Sequence, residues 1–516
     1  MSQTISDQKS ESDVQGKVTE YNTLDEAVLR AQGHEAVLKR SFSLLSSIGF
    51  AFDITNSWVG VLSNFGQNLL YGGPPLAVWS VLIACFVQWI ITLGLSELAS
   101  AFPSSGGQYH FVYIVAPSKS KRFGAFVTGW MSILGWWFGT CSGLSLVANS
   151  ILGLASFLHP QFSPTQWQTY LVYLAVLIIT VIPLFACPKW LPKISTGALS
   201  LTIIGFLTWF ITILATRDHS SSGDYITKPV QGTSGWNPGA AWVLGIINSM
   251  YAFTGTDGAI HIAEEMHRPG AALPRIMNMT MVIGLVTAFP IILVFMFSMS
   301  NMTDVMNARW PAVELLYQVS QSKSITIGLT ILLIVIYASN LPPQWIASGR
   351  LAWAFARDNG MPYSKFFSHI HPGLGFPVRT TLASCVFASI YGLIYLASTS
   401  AFNSIITSAI LFLNISYAIP QAIVAFRGRS KTLPNRVLKL GRIGYVCNIF
   451  APLWIIIMCV LVCFPPSLPT TVGSMNYTAP IIVGLFMAII VFWFVIGKQF
   501  EGPAIDWELL SVSNAT

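Results

Sequence analysis

Hydrophobic positions in this chain fall into long unbroken blocks. Twelve apolar stretches stand out, at residues 43–71, 76–102, 124–156, 168–187, 194–215, 240–264, 276–300, 325–356, 378–398, 402–426, 446–465 and 477–498. A helix needs about 20 such residues to cross a hydrocarbon core of about 30 Å. The pattern therefore predicts twelve membrane-spanning helices. Two of them interrupt themselves in matching ways. Residues Ala51 to Ser57 and Ala252 to Gly258 each begin Ala-Phe, turn polar for about one helical turn and carry an acid, Asp53 or Asp257. Polar and ionisable groups are costly in hydrocarbon and mark a water-filled cavity or a binding site. Paired interruptions in corresponding halves of a many-span protein point to a secondary transporter with its substrate at the repeat interface. The plainer alternative is a pair of glycine-kinked helices whose polar groups are satisfied inside a bundle.

Composition fixes the class. Hydrophobic residues make up 53% of the 516, charged residues 9%, and the mean hydropathy is +0.63. A soluble domain carries about 25% charge, so this chain cannot cover a surface in water. The net charge of +7 reads as orientation and not as nucleic-acid binding. With twelve spans the two termini share a side. Only Arg217, Lys228, Arg309 and Lys323 fall on the opposite side, against the other 23 of the 27 basic residues. The positive-inside rule then makes both termini cytoplasmic. Residues 1–41 are polar and mixed in charge and read as a disordered cytoplasmic tail without a leader. Residues 499–516 form a second cytoplasmic tail.

Several chemistries find no support. No HExxH, GxSxG or P-loop occurs, which argues against an enzyme and a nucleotide-driven pump. His369 and His371 lie in a Gly/Pro-rich loop without a third ligand, and the seven cysteines lack metal spacing. No metal, cofactor or disulfide is expected. The sequons at Asn301 and Asn476 sit close to the expected membrane surface, so glycosylation there is weakly supported.

The most specific string runs from Ser96 to Pro117, SELASAFPSSGGQYHFVYIVAP. Pro103 stops the second helix, and Gly106-Gly107 let the backbone turn sharply before an aromatic stretch at the interface. That makes the pair a hinge between a scaffold and a mobile element. Glu97, near the inner boundary, is expected to pair with a cytoplasmic-end arginine such as Arg350 or Arg275, as a structural ion pair in preference to a proton-coupling group.

At these residues a resemblance can be stated. The strings SFSLLSSIGFAFDITNSW (Ser41–Trp58), YGGPP (Tyr71–Pro75), GWWFGTCS (Gly135–Ser142), AFTGTDGAIHIAEEMHRP (Ala252–Pro269), GRLAWAFARDNGMP (Gly349–Pro362) and SYAIPQ (Ser416–Gln421) join the Ser96–His110 string. Together they resemble a fungal permease of the amino acid–polyamine–organocation superfamily, amino acid/choline branch, with YGGPP and GWWFGT closest to choline-permease-like members. The resemblance covers essentially residues 41 to 508. It implies an all-α integral membrane protein with a LeuT-type five-plus-five inverted repeat, at about 42–215 and 240–426. Helices 1 and 6 would be broken and two extra helices would follow within 446–498, completing a transporter domain over 42–498.

Carried over by position, the first break places Asp53, Thr55, Asn56 and Ser57 at the substrate. The second places Thr254 and Gly255 there, with Tyr251 and Phe253 as an aromatic lid and Asp257 near the gate. Amino acid carriers of the superfamily often have a Gly-rich first break suited to a carboxylate, whereas Asp53 here would repel an anion and attract an ammonium. Trp58, Trp136 and Trp137 join Tyr251 and Phe253 as candidates for a quaternary-ammonium cage. His261, four residues after Asp257, is either a proton relay or a hydrogen-bonded bundle histidine. Glu264 and Glu265 read as gate pairs, as does Arg350. Some relatives couple through a lysine inside the fifth helix. None occurs here (Lys193 lies at its mouth), and a proton is the expected coupling ion. The expectation is a secondary active permease of choline or another amine in the plasma membrane. Alternatives are an amino acid or GABA permease, a pathway-specific metabolite transporter or exporter, residence in the vacuolar membrane, and a nutrient receptor that keeps the fold without net flux.

Overall fold

The computed structural model describes residues 25–506 except 219, 398 and 472–474, and its side chains except at 397–406 and 409 as well. No strand occurs among the described residues; an isolated bridge pairs Phe42 with Met266. Among the described residues, ten helical stretches are long and apolar enough to cross a membrane. Their outward surface is apolar, with Ile179, Phe426 and Phe494 all exposed, as a lipid-facing surface requires.

One of the ten, Leu44–Ala101, is 58 residues long, about 87 Å if straight. It is not straight. Gly72 (φ −167°, ψ 24°) and Gly73 (φ 65°, ψ −161°) leave the helix just before Pro74-Pro75. Asn68 Nδ2 then donates to Ser80 Oγ at 3.0 Å, although twelve residues of continuous helix would separate them by about 18 Å. The chain folds back here. Gly73 needs its positive φ, and the prolines remove the amide donors that would have continued the helix.

Both expected interruptions are present. The helix Leu44–Thr55 ends at Asn56, which adopts φ 30°, ψ 63° before Ser57 starts the next helix. The helix Pro238–Met250 passes through one 3₁₀ turn, Tyr251–Phe253. It breaks at Thr254-Gly255, where Gly255 has φ 93°, and resumes as the 3₁₀ segment Thr256–Glu265. Because of this break, residues 238–265 are absent from the ten continuous spans, although the apolar pattern predicts a span at 240–264. The two interrupted segments cross closely: a Cβ on Gly60 would sit 3.0 Å from Ala252 Cα.

The expectation of a disordered tail meets two outcomes. Residues 1–24 and 507–516 lie outside the described residues. Residues 25–43 are packed against the protein, with Leu29, Ala31, His34 and Leu38 buried. Phe42 N donates to Glu265 O at 3.1 Å, and Asp506 N to Ala31 O at 2.9 Å. Residues 25–43 and the segment ending at Asp506 therefore brace one face, here called the terminal face. The apolar residues that make this possible, Leu29, Ala31 and Leu38, are few among polar neighbours, which is why the composition of the segment reads as solvated.

Candidate functional site: a cavity between two broken helices

The two interruptions meet around a cavity of about 90 Å³ lined by Thr55, Asn56, Tyr251, Thr254 and Gly255. Other segments add Trp136, Ser142, Tyr337, Asn340 and Gln344 to the wall. A larger cavity of about 540 Å³ adjoins it, sharing Ser142, Leu146, Tyr251 and Ile410. The larger one extends past Asn64 and Gln67 to Pro466 and Asn476, away from the terminal face. The small cavity is thus approached from the side opposite the terminal face.

Each break is held by its own polar groups. Thr55 Oγ1 donates to Phe52 O at 3.2 Å and Thr254 Oγ1 to Met250 O at 2.9 Å, covering carbonyls near the ends of the two half-helices. Asn56 Nδ2 donates to Asn340 Oδ1 at 3.0 Å and to Thr202 Oγ1 at 3.2 Å, which fixes the left-handed residue against two other helices. Tyr251 and Ser142 hydroxyls share a 3.1 Å hydrogen bond across the cavity. Two buried amide oxygens in the lining, Asn56 Oδ1 and Gln344 Oε1, have no hydrogen-bond partner among the described residues. No charged side chain is among the described lining residues. The wall is therefore aromatic and rich in acceptors, and it is uncharged.

Of the residues expected at the substrate, Thr55, Asn56, Tyr251, Thr254 and Gly255 line this cavity, while Asp53, Ser57, Phe253 and Asp257 do not. Asp53 is fully buried, and neither carboxylate oxygen has a hydrogen-bond partner among the described residues. It shares a helix face with Gly49 and Asn56. A Cβ on Gly49 would touch Ser195 O, and Asn56 bonds Thr202, so that face is turned to the helix Leu191–Thr216. Among the cage candidates, Trp136 and Tyr251 line the cavity. Trp58 packs against Phe206 and Trp209, Trp137 against Phe387, and Phe253 is buried elsewhere. Tyr337 completes the aromatic wall. No polar break surrounds it in sequence, so nothing there distinguishes it from a packing tyrosine.

Asp257 lies behind this wall, hydrogen-bonded to Trp136. Its Oδ2 accepts from Gln108 Nε2 at 2.7 Å and from Trp136 Nε1 at 3.0 Å, and faces His261 Nε2 at 3.3 Å. The Tyr417 hydroxyl donates to Oδ1. His261 Nδ1 lies 3.0 Å from the Ser105 carbonyl oxygen, which can only accept, so Nδ1 carries a hydrogen. One further proton must then sit between Nε2 and Oδ2, on either residue, for that contact to be attractive. Trp136 touches both systems: its ring lines the cavity and its N–H holds Asp257.

Toward the terminal face the route is closed by ion pairs. Arg350 pairs with Glu265, its Nη2 donating to Oε2 at 3.0 Å, and Arg357 makes a two-pronged pair with Glu264, both contacts 2.9 Å. This corrects the expected pairing of Glu97. That residue is clamped by Arg429 and Arg436, with Arg436 Nε at 2.9 Å, and also accepts from Leu440 N at 3.1 Å. The basic stretch after the helix Thr399–Arg427 folds under the end of the second span and reaches Glu97 first. The signal for this clamp in the sequence is the run of six basic residues in 427–442, which the positive-inside rule explains equally well.

The turn at Gly106-Gly107 is buried between these layers. Gly107 has φ 60°, ψ −128°, and a Cβ there would sit 3.1 Å from His261 Cε1. A β-branched residue at such a backbone conformation is strained by about 1–3 kcal/mol before any contact is counted. Gly107→Val is expected to lower initial uptake roughly tenfold or more at unchanged membrane delivery, on the scale of 1.4 kcal/mol per tenfold. Uptake normalised to surface-labelled protein measures it, and a normal rate would remove the turn from the mechanism.

Comparison with known proteins gives the family. The profile of the family described as amino acid permease matches residues 42–487. The chain is 32% identical over 492 residues to a choline transporter of Saccharomyces cerevisiae, covering 94% of this chain and 86% of that one. It is 30% identical to a swainsonine transporter of Arthroderma benhamiae, with 91% and 94% covered. A 7-keto 8-aminopelargonic acid transporter of Saccharomyces cerevisiae is 25% identical, with 89% and 93% covered. The chain belongs to the amino acid permease family, and it is a membrane transporter of small nitrogenous solutes, not an enzyme.

Proposed function

We propose that this permease carries choline or a similar small amine by alternating access, driven by protons. The observation that carries the reading is the wall of the central cavity. It is lined by the aromatic residues Trp136, Tyr251 and Tyr337 and by Asn56 and Gln344, whose amide oxygens have no partner among the described residues, and no basic side chain is among its described lining residues to hold a carboxylate. Aromatic faces attract a quaternary ammonium by about 2 kcal/mol or more when water is excluded. The similarity to a choline transporter over 94% of the chain points the same way.

In this reading the protein has twelve spans in a LeuT-type inverted repeat. The hairpin at Gly72-Gly73 and the paired breaks at Asn56 and Thr254-Gly255 support it. Both termini are cytoplasmic, on the split of basic residues, and the plasma membrane is the site of action. The arrangement described is then open to the outside and closed within. The Asp257–His261 pair is the coupling site, because it stores one proton and touches the substrate wall through Trp136. A substrate stacked on Trp136 would shift the indole that holds Asp257, and so bias where that proton sits.

Purified protein in liposomes with an inward proton gradient tests the reading. Labelled choline should accumulate, should be displaced by other amines better than by amino acids, and should lose about tenfold in apparent affinity with Tyr251→Ala, which removes one aromatic face. Absence of choline flux together with displacement by zwitterions alone would assign the cavity to an amino acid instead.

A further inference from the structure

Three side chains from three separate parts of the chain converge under the terminal face. They are His34 of the N-terminal segment, His110 of the short helix Gln108–Val115, and Asp358 at the end of the helix Leu341–Arg357. All are buried, at 4%, 0% and 5% exposure. His34 Nε2 lies 2.9 Å from Asp358 Oδ1, the two imidazole rings have centroids 5.2 Å apart and are tilted by 40°, and one ligand atom from each residue falls within 4.8 Å of the others. The Tyr109 hydroxyl donates to the second oxygen of Asp358 at 2.9 Å, orienting the carboxylate as a second layer does around a metal.

Three ring nitrogens at this place have no hydrogen-bond partner among the described residues: His34 Nδ1 and both nitrogens of His110. A buried polar atom left unpaired costs about 1–3 kcal/mol, so a fully buried imidazole with two such atoms is a poor choice for packing alone. A ligand explains it. Two imidazoles and one carboxylate form a set suited to zinc and its neighbours, whereas magnesium and calcium take oxygen ligands. Ligands at about 2.0–2.1 Å from a tetrahedral zinc lie about 3.4 Å apart, so the 4.8 Å spread closes by small ring rotations.

We propose that His34, His110 and Asp358 bind a divalent transition-metal ion of the zinc type, which pins residues 25–43 across the terminal-face gate. The position gives the ion leverage. Asp358 follows Arg357, the partner of Glu264, and His110 lies two residues beyond Gln108, which holds Asp257. Phe42 bonds to Glu265, so the pinned segment also ends on the gate. Binding would hold the closed arrangement of that face.

The test uses the full-length protein purified in detergent and stripped of metal, titrated with Co²⁺ and then Zn²⁺, with Mg²⁺ as control. The expected result is a single Co²⁺ per chain with visible absorption of a low-coordinate site, displaced by Zn²⁺ and unaffected by Mg²⁺. His110→Gln and His34→Gln should each weaken binding at least about tenfold while the protein still elutes as one folded species. Zinc should also slow proteolysis within residues 25–40 of the unmodified protein. Equal Co²⁺ binding by the unmodified protein and a His34→Gln/His110→Gln double variant would overturn the site, because exposed histidines would then account for it. Binding without any change in proteolysis would overturn the pinning. None of these readouts requires transport, so their failure leaves the substrate reading untouched.

Discussion

Asp257→Asn is expected to cut proton-driven uptake at least about a hundredfold while exchange of substrate across the membrane persists. A factor of a hundred corresponds to about 2.7 kcal/mol, within reach of a buried carboxylate that accepts from Gln108, Trp136 and Tyr417 and faces His261. Asparagine keeps the shape and one oxygen, and Tyr417 can turn its hydroxyl to accept from the new amide. Folding should therefore survive. What is lost is the second protonation state: the amide is a permanent imitation of the neutral acid, so the site can no longer release a proton on one side and take one on the other. Accumulation against a gradient should vanish and its pH dependence with it. Exchange needs no net proton movement and should continue. His261→Gln is expected to flatten the pH profile in the same direction. An Asp257→Asn protein that still accumulates substrate with the normal pH profile would eliminate this pair as the coupling site.

The contrast between the two acids shows how far the chain could be read. Both breaks, their polar turns and their meeting in one cavity follow from single residues: a polar run inside an apolar span, and Gly255 where a positive φ is needed. The direction of a side chain does not follow. Each motif carries one acid, Asp53 third in the first and Asp257 sixth in the second, yet one faces the helix Leu191–Thr216 and the other faces four polar groups. The difference is set by residues at 195, 108, 136 and 417, all distant in sequence. Helix rotation about its axis depends on such tertiary partners, and local periodicity carries no record of them.

The same limit explains Glu97 and the N-terminal segment. Glu97 was legible as a buried acid needing arginine, and its choice among several arginines depends on how the loop after Arg427 returns. Residues 25–43 bury a few apolar side chains against a surface made by other segments, so their own composition gives no helix-length apolar face to recognise. Tyr337, by contrast, was invisible because aromatic residues are common throughout the spans. Only the crossing of its helix with the first break, where its hydroxyl donates to Val59 O at 2.8 Å, brings it to the cavity.

The gate gives the second large effect. Arg350 is 2% exposed and Glu265 5%, and their pair sits under the cavity with the Arg357–Glu264 pair beside it. Removing one partner of a buried ion pair strands the other charge and costs about 3–5 kcal/mol. Arg350→Ala should put that cost on the closed arrangement alone, since Glu265 can be hydrated once the terminal face opens. At 1.36 kcal/mol per tenfold, the closed population falls relative to the open one by at least about a hundredfold. A cysteine placed at Ser105, which is buried here, should then react with a thiol reagent at least about tenfold faster from the terminal face. Arg350→Lys should restore closure only in part, because an ammonium cannot reproduce the two-pronged contact. The decisive comparison is the double variant Arg350→Ala/Glu265→Gln. With no charge left stranded, its reactivity should return most of the way to that of the unmodified gate. If the double variant is as reactive as Arg350→Ala, packing of the arginine side chain, and not its charge, keeps the gate shut.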